Sequence, residues 1–294
     1  MRKIILSFIF FIFLLLTTIV GYLSLIGYET NKFNSLLENK IISNFPNTKV
    51  NLDKIKIKIN IKNLNFFIST LEPDIEYREY KINLKRIDGY INLKSFLIGK
   101  PKIDKINILS NDVEINDIKN IAKYLKPSNF KKFFLNNVDR GETTLNLDLY
   151  LKNNKIESYE VNGVVKNFFA KLQNLDFKKA SFVYLFKKNS GELNNIRGTI
   201  NGFQINSGKI EFNNLESFNI KGNLKKSFNL NRNNIDQFFK LKMLKNISEL
   251  EITGKMQSSF IFDFDKTLKL INYKIESLGN INKTEIKIKQ PIKY

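Results

Sequence analysis

The alternation of apolar and polar positions is clearest in residues 250–265, LEITGKMQSSFIFDFD. The even positions are mostly apolar and the odd positions are mostly polar, which predicts a β-strand with one apolar and one polar face. At about 3.3 Å per residue this strand would be roughly 50 Å long, far beyond the usual five or six residues. The same pattern recurs along most of the chain after residue 50, so the fold must cover a large one-sided apolar surface.

Turn signals divide the body into roughly fifteen strands, spaced about 8–15 residues apart, which favours an antiparallel meander over alternating strands and helices. One such turn is Glu72-Pro73-Asp74. The predicted strands cover residues 52–64, 79–84, 87–93, 103–115, 145–151, 159–167, 170–177, 180–187, 196–205, 209–212, 218–224, 250–265, 268–277 and 283–289.

Few soluble helices are predicted. Asn116 is expected to cap a short helix that ends before Pro127, and a second short helix is expected over residues 128–135. A third is expected after Asn233 or Asn234. These helices are too few to cover the predicted sheet.

The N-terminal segment predicts a membrane anchor. Residues 4–27 carry no charge and would form a helix of roughly 36 Å, enough to cross a hydrocarbon core of about 30 Å. A cleaved signal peptide is the alternative, but its apolar region is usually only about 7–15 residues long and ends at a small-residue site. Arg2 and Lys3 precede the apolar run, which predicts a cytoplasmic N-terminus and a body on the far side of the membrane.

Residues 30–45 follow with apolar positions at helical spacing, and Pro46 ends the pattern. Two interpretations stay open for this helix. It packs on the end of a sheet, or it rests on the membrane surface.

Composition excludes several classes of site. The 294 residues contain neither Cys nor His, so disulfides, thiolate zinc sites, cysteine nucleophiles and Ser-His-Asp catalysis are ruled out. The net charge of +20 suggests nucleic acid as a partner, but the lysines are spread along the polar positions of strands, as in Lys54, Lys56 and Lys58. We therefore expect no nucleic-acid partner, no metal and no cofactor.

Three architectures can dispose of the apolar surface: a closed barrel, a two-sheet sandwich, or a sheet curled into a groove whose lining is covered by a ligand. An acyl chain suits such a groove, because burial contributes about 0.8 kcal/mol per CH₂ without any precise polar site. The predicted fold is mainly β: an N-terminal transmembrane helix, then a long antiparallel meander curled into an elongated, repeating β-groove with a few short helices.

Three segments carry a resemblance to a known family. They are LKSFLIGKPKIDKINI (residues 93–108), GETTLNLDLYLKNNKIESYEVNGVVKN (residues 141–167) and IRGTINGFQINSGKIEFNNLESFNIKGNL (residues 196–224). Together with the single N-terminal anchor, they resemble AsmA-like proteins, the later two segments resembling the YhdP and TamB branch. The motifs are loose patterns of glycine and alternating apolar residues rather than an active-site signature.

The resemblance implies a bridge-type protein of the Gram-negative envelope, anchored in the inner membrane with its body in the periplasm. Such a protein binds and conducts phospholipids through a β-groove and supports outer-membrane biogenesis. The expected organisation is an anchor over residues 1–27, a capping or juxtamembrane helix over 28–46 and a groove domain over 47–294, with a further boundary near 116–141. Family members are usually longer, so we expect either a continuation of the chain or a partner protein at the open edge strand.

The apolar positions of three predicted strands are the candidate groove lining. They are Ile55, Ile57, Ile59, Ile61, Leu145, Leu147, Leu149, Leu151, Leu250, Ile252, Met256, Phe260, Phe262 and Phe264.

Two other functions stay open. The protein is a structural or assembly factor of the outer membrane, with a closed β-sandwich core and no lipid, or it is an enzyme. Asp263 and Asp265 alternate on one strand face and form the one candidate carboxylate pair, but surface charge explains them better. We therefore expect no catalytic residues and no enzymatic activity.

Overall fold

A computed structural model describes residues 2–32, 34–44, 47–62, 65–92, 94–95, 98, 102–124, 126–152, 155–172, 175–214, 218–231, 247–265 and 269–288. Its strands form one antiparallel sheet of 17 strands that is not closed. The prediction of a mainly β protein with an N-terminal apolar helix is confirmed.

The elements follow one another in a simple order. The helices are α1 (Arg2–Leu25), α2 (Asn34–Asn44), α3 (Ile115–Ala122) and α4 (Asn129–Asn137). The strands are β1 (Tyr28–Thr30), β2 (Thr48–Asn51), β3 (Ile55–Asn60), β4 (Asn65–Leu71), β5 (Asp74–Tyr77), β6 (Tyr80–Asn92), β7 (Ile103–Ser110), β8 (Val113–Glu114), β9 (Val138–Thr143), β10 (Asn146–Lys152), β11 (Lys155–Leu172), β12 (Leu175–Lys187), β13 (Ser190–Ile200), β14 (Phe203–Asn214), β15 (Phe218–Asn231), β16 (Ile247–Phe264) and β17 (Leu270–Ile288).

The chain divides into two compact units. Unit 1 comprises Met1–Val113 and Thr144–Val161, and unit 2 comprises Glu114–Thr143 and Asn162–Tyr294. Helix α1 belongs to unit 1, and its span Ile4–Leu25 is long and apolar enough to cross a membrane. That observation is consistent with the predicted anchor.

In unit 1 the strands pair in the order β1, β3, β4, β6, β7 and β10. The N-terminal part of β6 pairs instead with β5, which in turn pairs with β2. Alternating isoleucines favour these strands because branched side chains pack well on a pleated surface.

Helix α2 is fastened to the connection between β2 and β3. Asn34 Nδ2 donates to the carbonyl oxygens of Leu52 and Asp53, the latter at 2.9 Å, and Glu38 Oε1 accepts from the Leu52 amide at 2.8 Å. Leu52 itself is buried. These contacts place α2 at an end of the sheet in unit 1.

In unit 2 the strands β12 to β17 form an antiparallel meander in which each strand pairs with the next. Strand β9 pairs with β11, and α3 lies against β9, where Ile115 packs over Gly141. The long strand predicted at residues 250–265 is confirmed as β16.

The second predicted short helix is confirmed, because the Ser128 hydroxyl caps α4 by accepting from the Lys131 amide. The predicted cap at Asn116 is wrong, since α3 begins one residue earlier and Glu114 precedes it without a side-chain cap. Helix α3 follows β8 directly, because β8 ends at Glu114 and the helix begins at Ile115. The helix predicted after Asn233 lies outside the described residues.

Several predicted strand boundaries are wrong because β-bulges shift the phase of the alternation. The three strands predicted within residues 159–187 are two, β11 and β12, with register shifts after Lys166 and Lys178. The two strands predicted after residue 268 are one, β17, whose register shifts near Ile281. An extra residue in one strand reverses which positions face the core, so a continuous strand looks interrupted.

One predicted strand, residues 196–205, contains a tight turn. Asn201 and Gly202 both have positive φ, 49° and 84°, and join β13 to β14. An Asn-Gly pair favours the two-residue hairpin turn because both residues tolerate left-handed backbone conformations.

Candidate functional site

The apolar face of unit 2 is built from side chains that stand opposite one another on neighbouring strands. Directly opposed residues of antiparallel strands point to the same face, so the register joins them into rows across the sheet. The first row, from β13 to β17, contains Leu193, Ile210, Gly222, Phe260 and Ile275, and the second contains Gly191, Phe212, Ile220, Phe262 and Tyr273. We call these rows, with the other positions of β12–β17 in the same phase, the apolar face of unit 2.

This face is partly covered by its own side chains. Ile196, Ile205 and Leu224 form a buried cluster, and Phe260 packs against it. The other apolar side chains that the described parts of β13–β16 place on the face are mostly half-buried, and none of them is exposed. Residues packed between two sheets normally lose almost all contact with solvent. The intermediate burial is therefore typical of a face whose side chains pack laterally on one another, with no second sheet over them among the described residues.

The six candidate lining residues of β16 all lie on this face. Five of them stand opposite a residue of β15 on one side and a residue of β17 on the other. For Leu250, the described residues include a cross-strand partner on β17 only. Leu250 is buried against Leu230, Ile247 and Ile252, whereas the other candidates are half-buried. The six are Leu250, Ile252, Met256, Phe260, Phe262 and Phe264.

Three glycines on this face stand directly opposite phenylalanines. The pairs are Gly191 with Phe186, Gly222 with Phe260 and Gly254 with Phe228. In each pair the phenylalanine ring occupies the space that a side chain on the glycine would need. Each ring therefore lies over the glycine of the neighbouring strand. It covers the backbone that glycine leaves without a side chain.

Lys226 is the exception to the apolar composition of this face. It stands between Ile205 on β14 and Met256 on β16, and Leu224 and Phe228 flank it along β15. It is the one charged residue that the register of β13–β17 places on the apolar face within the described residues. Burial lowers the pKa of the Lys226 ammonium group, and no neighbouring carboxylate in the described structure offsets this effect.

Unit 1 has an apolar face of its own. One row contains Ile55, Thr70, Ile87, Ile108 and Leu147, and the next contains Ile57, Ile68, Gly89, Ile106 and Leu149. A third row contains Ile59, Phe66, Ile91 and Ile103. We call these three rows the apolar face of unit 1.

The structure places the remaining candidate residues in two groups. Ile55, Ile57, Ile59, Leu147 and Leu149 lie on the apolar face of unit 1, and Leu151 shares the phase of Leu149 in β10. Ile55 is fully buried, and the others are half-buried.

Two candidates lie outside the strands. Ile61 follows the end of β3 and is 53% exposed, and Leu145 precedes β10, where its amide donates to Ser110 Oγ at 2.8 Å.

Sequence reasoning missed the residues that complete the rows, because a register cannot be read from one strand. The missed members include Phe66, Ile68, Ile106, Leu193, Ile210 and Phe212. It also missed Lys226, although a signal was present. Apolar positions alternate along β15, and Lys226 interrupts them in phase.

The opposite face of unit 1 carries a polar ladder. Arg86 Nε lies 2.9 Å from Asp88 Oδ2, and Asn107 Nδ2 donates to Asn146 and to Asp148. Lys105 Nζ contacts Asp148 at 2.9 Å. Burial lowers the pKa of Lys105, but the hydrogen bond to Asp148 and the negative charge of Asp148 outweigh burial, so the pKa is raised. The charged and polar groups of the ladder pair with one another, which is typical of a structural element.

Aromatic rings extend this ladder. The Tyr90 ring stacks on Phe67 with centroids 5.4 Å apart, and the Lys105 ammonium lies 5.5 Å from the Tyr90 ring and 5.4 Å from the Tyr150 ring. Cation–π contacts of this kind hold the lysine between two rings. Burial raises the pKa of the Tyr90 hydroxyl.

The candidate carboxylate pair is engaged in local structure. Asp263 accepts a hydrogen bond from Asn219, which stands opposite it on β15. Asp265 lies after the end of β16, and its carboxylate accepts from the Lys269 amide at 3.0 Å. Asp263 therefore joins β15 to β16, and Asp265 stabilises the turn that follows β16. Both have the geometry of structural residues.

Strand β17 differs from the strands before it. Among the described strands it pairs with β16 alone, and all of its residues from Leu270 to Ile288 are exposed. Its apolar side chains on the apolar face, such as Tyr273 and Ile275, are 64% and 56% exposed. An edge strand of this length offers unpaired backbone groups to another strand.

Comparison with protein-family models, with curated proteins and with solved structures found no match. The residues of the two apolar faces therefore carry the functional argument. Among the residues that the structure describes, no cluster of three or more acidic side chains could hold a metal ion.

Proposed function

We propose that this protein is a membrane-anchored lipid-binding protein whose apolar faces bind and conduct phospholipids. In this proposal α1 is an uncleaved anchor in the inner membrane of a Gram-negative bacterium. Arg2 and Lys3 keep the N-terminus in the cytoplasm, so the β-sheet lies in the periplasm. The protein would support lipid transport to the outer membrane, as the resemblance to AsmA-like proteins implies.

The observation that supports the proposal best is the partial burial of the apolar face of unit 2. Phe262, Ile220 and Phe212 form part of one row across three strands, yet each is half-buried. An apolar surface of this extent normally binds a partner or a ligand. Acyl chains suit it because their burial is favourable without directed polar contacts, at about 0.8 kcal/mol per CH₂.

The binding mode follows from the rows. Neighbouring strands are about 4.8 Å apart, so the six positions between Phe186 and Tyr273 extend over roughly 24 Å. One leaflet of a hydrocarbon core is about 15 Å thick, so a row of this length accommodates an acyl chain. We propose that the sheet curls along these rows into a groove that holds lipid chains and leaves their head groups in water.

A pair of variants tests the proposal. Phe262→Asp puts a charge on the apolar face, and Ile261→Asp puts the same charge one residue away on the opposite face, where Ile261 is 36% exposed. The full chain is purified in a non-ionic detergent, and retained phospholipid is measured by native mass spectrometry after lipid extraction.

The proposal expects phospholipid on the native protein and on Ile261→Asp, and strongly reduced phospholipid on a folded Phe262→Asp. A folded native protein without phospholipid would favour a structural or assembly factor instead. An unfolded Phe262→Asp variant would indicate a closed core and would also count against a groove, because a charge inside a packed core is strongly destabilising.

A further inference from the structure

The apolar face of unit 2 has a charge at one defined place. Lys226 occupies a position that the alternation of β15 reserves for an apolar residue, between Phe228 on one side and Leu224 on the other. A surface needed only for packing gains nothing from a lysine there, because burying an ammonium group opposes its hydration.

The described surroundings of Lys226 bring no opposite charge to it. Its cross-strand neighbours are Ile205, which is 1% exposed, and Met256. The carboxylates of the adjacent strands, such as Glu211 and Glu251, point to the opposite face, where Lys221 stands opposite Glu211. Burial alone lowers the pKa of Lys226, which agrees with the absence of an acidic neighbour among the described residues.

Apolar surface extends along the strand in both directions from this charge. Towards Ile220 it covers six residues, roughly 20 Å, and towards Leu230 it covers four residues, roughly 13 Å. A ligand that matches this arrangement has one negative charge attached to apolar chains. A phospholipid phosphate meets that description, and a bound phosphate would form a charge-assisted hydrogen bond with the ammonium group.

We infer that Lys226 binds the phosphate of a phospholipid with net negative charge, whose acyl chains lie on the apolar face of unit 2. This inference rests on the proposed lipid-binding function and adds selectivity to it. A zwitterionic phospholipid also brings an ammonium group, for which the described part of this face offers no carboxylate. The face therefore favours anionic over zwitterionic phospholipids.

The test is a competition between two lipids with identical chains. The full chain in non-ionic detergent receives equal amounts of dioleoyl phosphatidylglycerol and dioleoyl phosphatidylethanolamine, and native mass spectrometry gives the ratio of the two bound lipids. Lys226→Met removes the charge and keeps an unbranched side chain that is one atom shorter. Lys225→Met is the matched control, because Lys225 is exposed on the opposite face, facing Gln257.

The native protein is expected to prefer phosphatidylglycerol by about tenfold, because the ammonium group of phosphatidylethanolamine weakens the attraction between Lys226 and the neighbouring phosphate. Lys226→Met should bind the two lipids about equally while keeping the total amount bound, and Lys225→Met and Lys226→Arg should keep the preference. Circular dichroism establishes that each variant is folded.

Three results overturn the inference. The first is an unchanged ratio of the two bound lipids in Lys226→Met. The second is an equal loss of the preference in Lys225→Met, which would indicate a general effect of positive charge. The third is equal binding of both lipids by the native protein. In each of these cases lipid still binds, so the proposed function stands. Binding of neither lipid by the native protein removes the proposed function and the inference with it.

Discussion

Gly222 stands directly opposite Phe260, and the Phe260 ring lies in the space that a Gly222 side chain would occupy. The same relationship joins Gly191 to Phe186 and Gly254 to Phe228. In each pair the phenylalanine ring fills the space above the glycine of the neighbouring strand. The side chains of this face therefore pack sideways on one another. This lateral packing explains why the phenylalanines are half-buried although the described residues place no second layer of strands over them.

The first prediction concerns this packing. Gly222→Ala introduces a methyl group that collides with the Phe260 ring, so the ring must turn away from β15. We expect the free energy of unfolding to fall by about 1–3 kcal/mol, the usual cost of overpacking, as measured by chemical denaturation of the full chain in detergent.

Gly89→Ala is the control for this variant. Gly89 lies on the apolar face of unit 1, where a side chain would meet no atom within 4 Å among the described residues. The variant should be neutral or more stable by about 0.5 kcal/mol, because alanine suits a strand better than glycine. Equal effects of the two substitutions would contradict the lateral packing of Phe260.

The strand positions were predictable where alternation is regular, and β16 is the clearest example. Prediction failed at Lys166, Lys178 and Ile281, where register shifts reverse the alternation within one strand. A bulge is decided by pairing with the neighbouring strand, and its position has no local signal in these segments. The turn at Asn201 and Gly202 had such a signal, since Asn-Gly is a strong hairpin signature.

The second prediction concerns the stability cost of Lys226. Replacing a half-buried, unpaired charge by an apolar side chain of similar size is expected to be mildly stabilising, so Lys226→Met should raise the free energy of unfolding by up to about 1 kcal/mol at neutral pH. Lys225→Met, on the solvated face, should change it by less than about 0.5 kcal/mol. A destabilised Lys226→Met would mean that the lysine supports the fold rather than a ligand.

The pH dependence of this effect has a defined sign. The pKa of Lys226 is lowered in the folded protein, so the unfolded chain binds the proton more tightly. As the pH rises towards the ordinary lysine pKa of about 10.4, stability should rise relative to Lys226→Met and the difference between the two should shrink. A difference that is constant from neutral pH to pH 10 would contradict the pKa shift.

The third prediction concerns the polar ladder of unit 1. The Asp88 side chain is 2% exposed and pairs with Arg86, whose side chain is 43% exposed. Asp88→Asn keeps the size but removes the charge that Arg86 needs, so we expect a loss of about 1–3 kcal/mol in thermal or chemical unfolding.

Asp74→Asn is the matched control for Asp88→Asn. Asp74 contacts Lys81 at 2.6 Å, but both side chains are largely exposed, at 49% and 67%. Exposed ion pairs contribute about 0–1 kcal/mol, so this variant should change stability only slightly. If both substitutions have the same effect, burial of Asp88 does not contribute to stability.

The fourth prediction concerns β17. Its residues are exposed, and among the described strands it pairs with β16 alone. Local opening should therefore be easier there than in β15, which has a paired strand on each side. Hydrogen exchange should be faster for the amides of residues 270–288 than for those of residues 218–231. Equal protection of both strands would indicate that another strand covers the β17 edge.

The candidate site was only partly predictable. The lining residues of β3, β10 and β16 follow from alternation within each strand, and most of them lie on the apolar faces. Ile61 does not, because β3 ends at Asn60 and the alternation no longer fixes where its side chain points. The rows themselves, and the place of Lys226 between Ile205 and Met256, depend on registers that only the paired strands define.

The most direct test of the central claim is photocrosslinking at neighbouring positions of β16. Benzoylphenylalanine replaces Phe262 on the apolar face or Ile261 on the opposite face, in cells whose phospholipids carry radioactive phosphate. Lipid binding to the apolar face predicts that the purified protein carries radioactive lipid after illumination when the probe is at position 262, and carries little when it is at position 261. Equal labelling at both positions, or labelling at position 261 alone, would contradict lipid binding by this face.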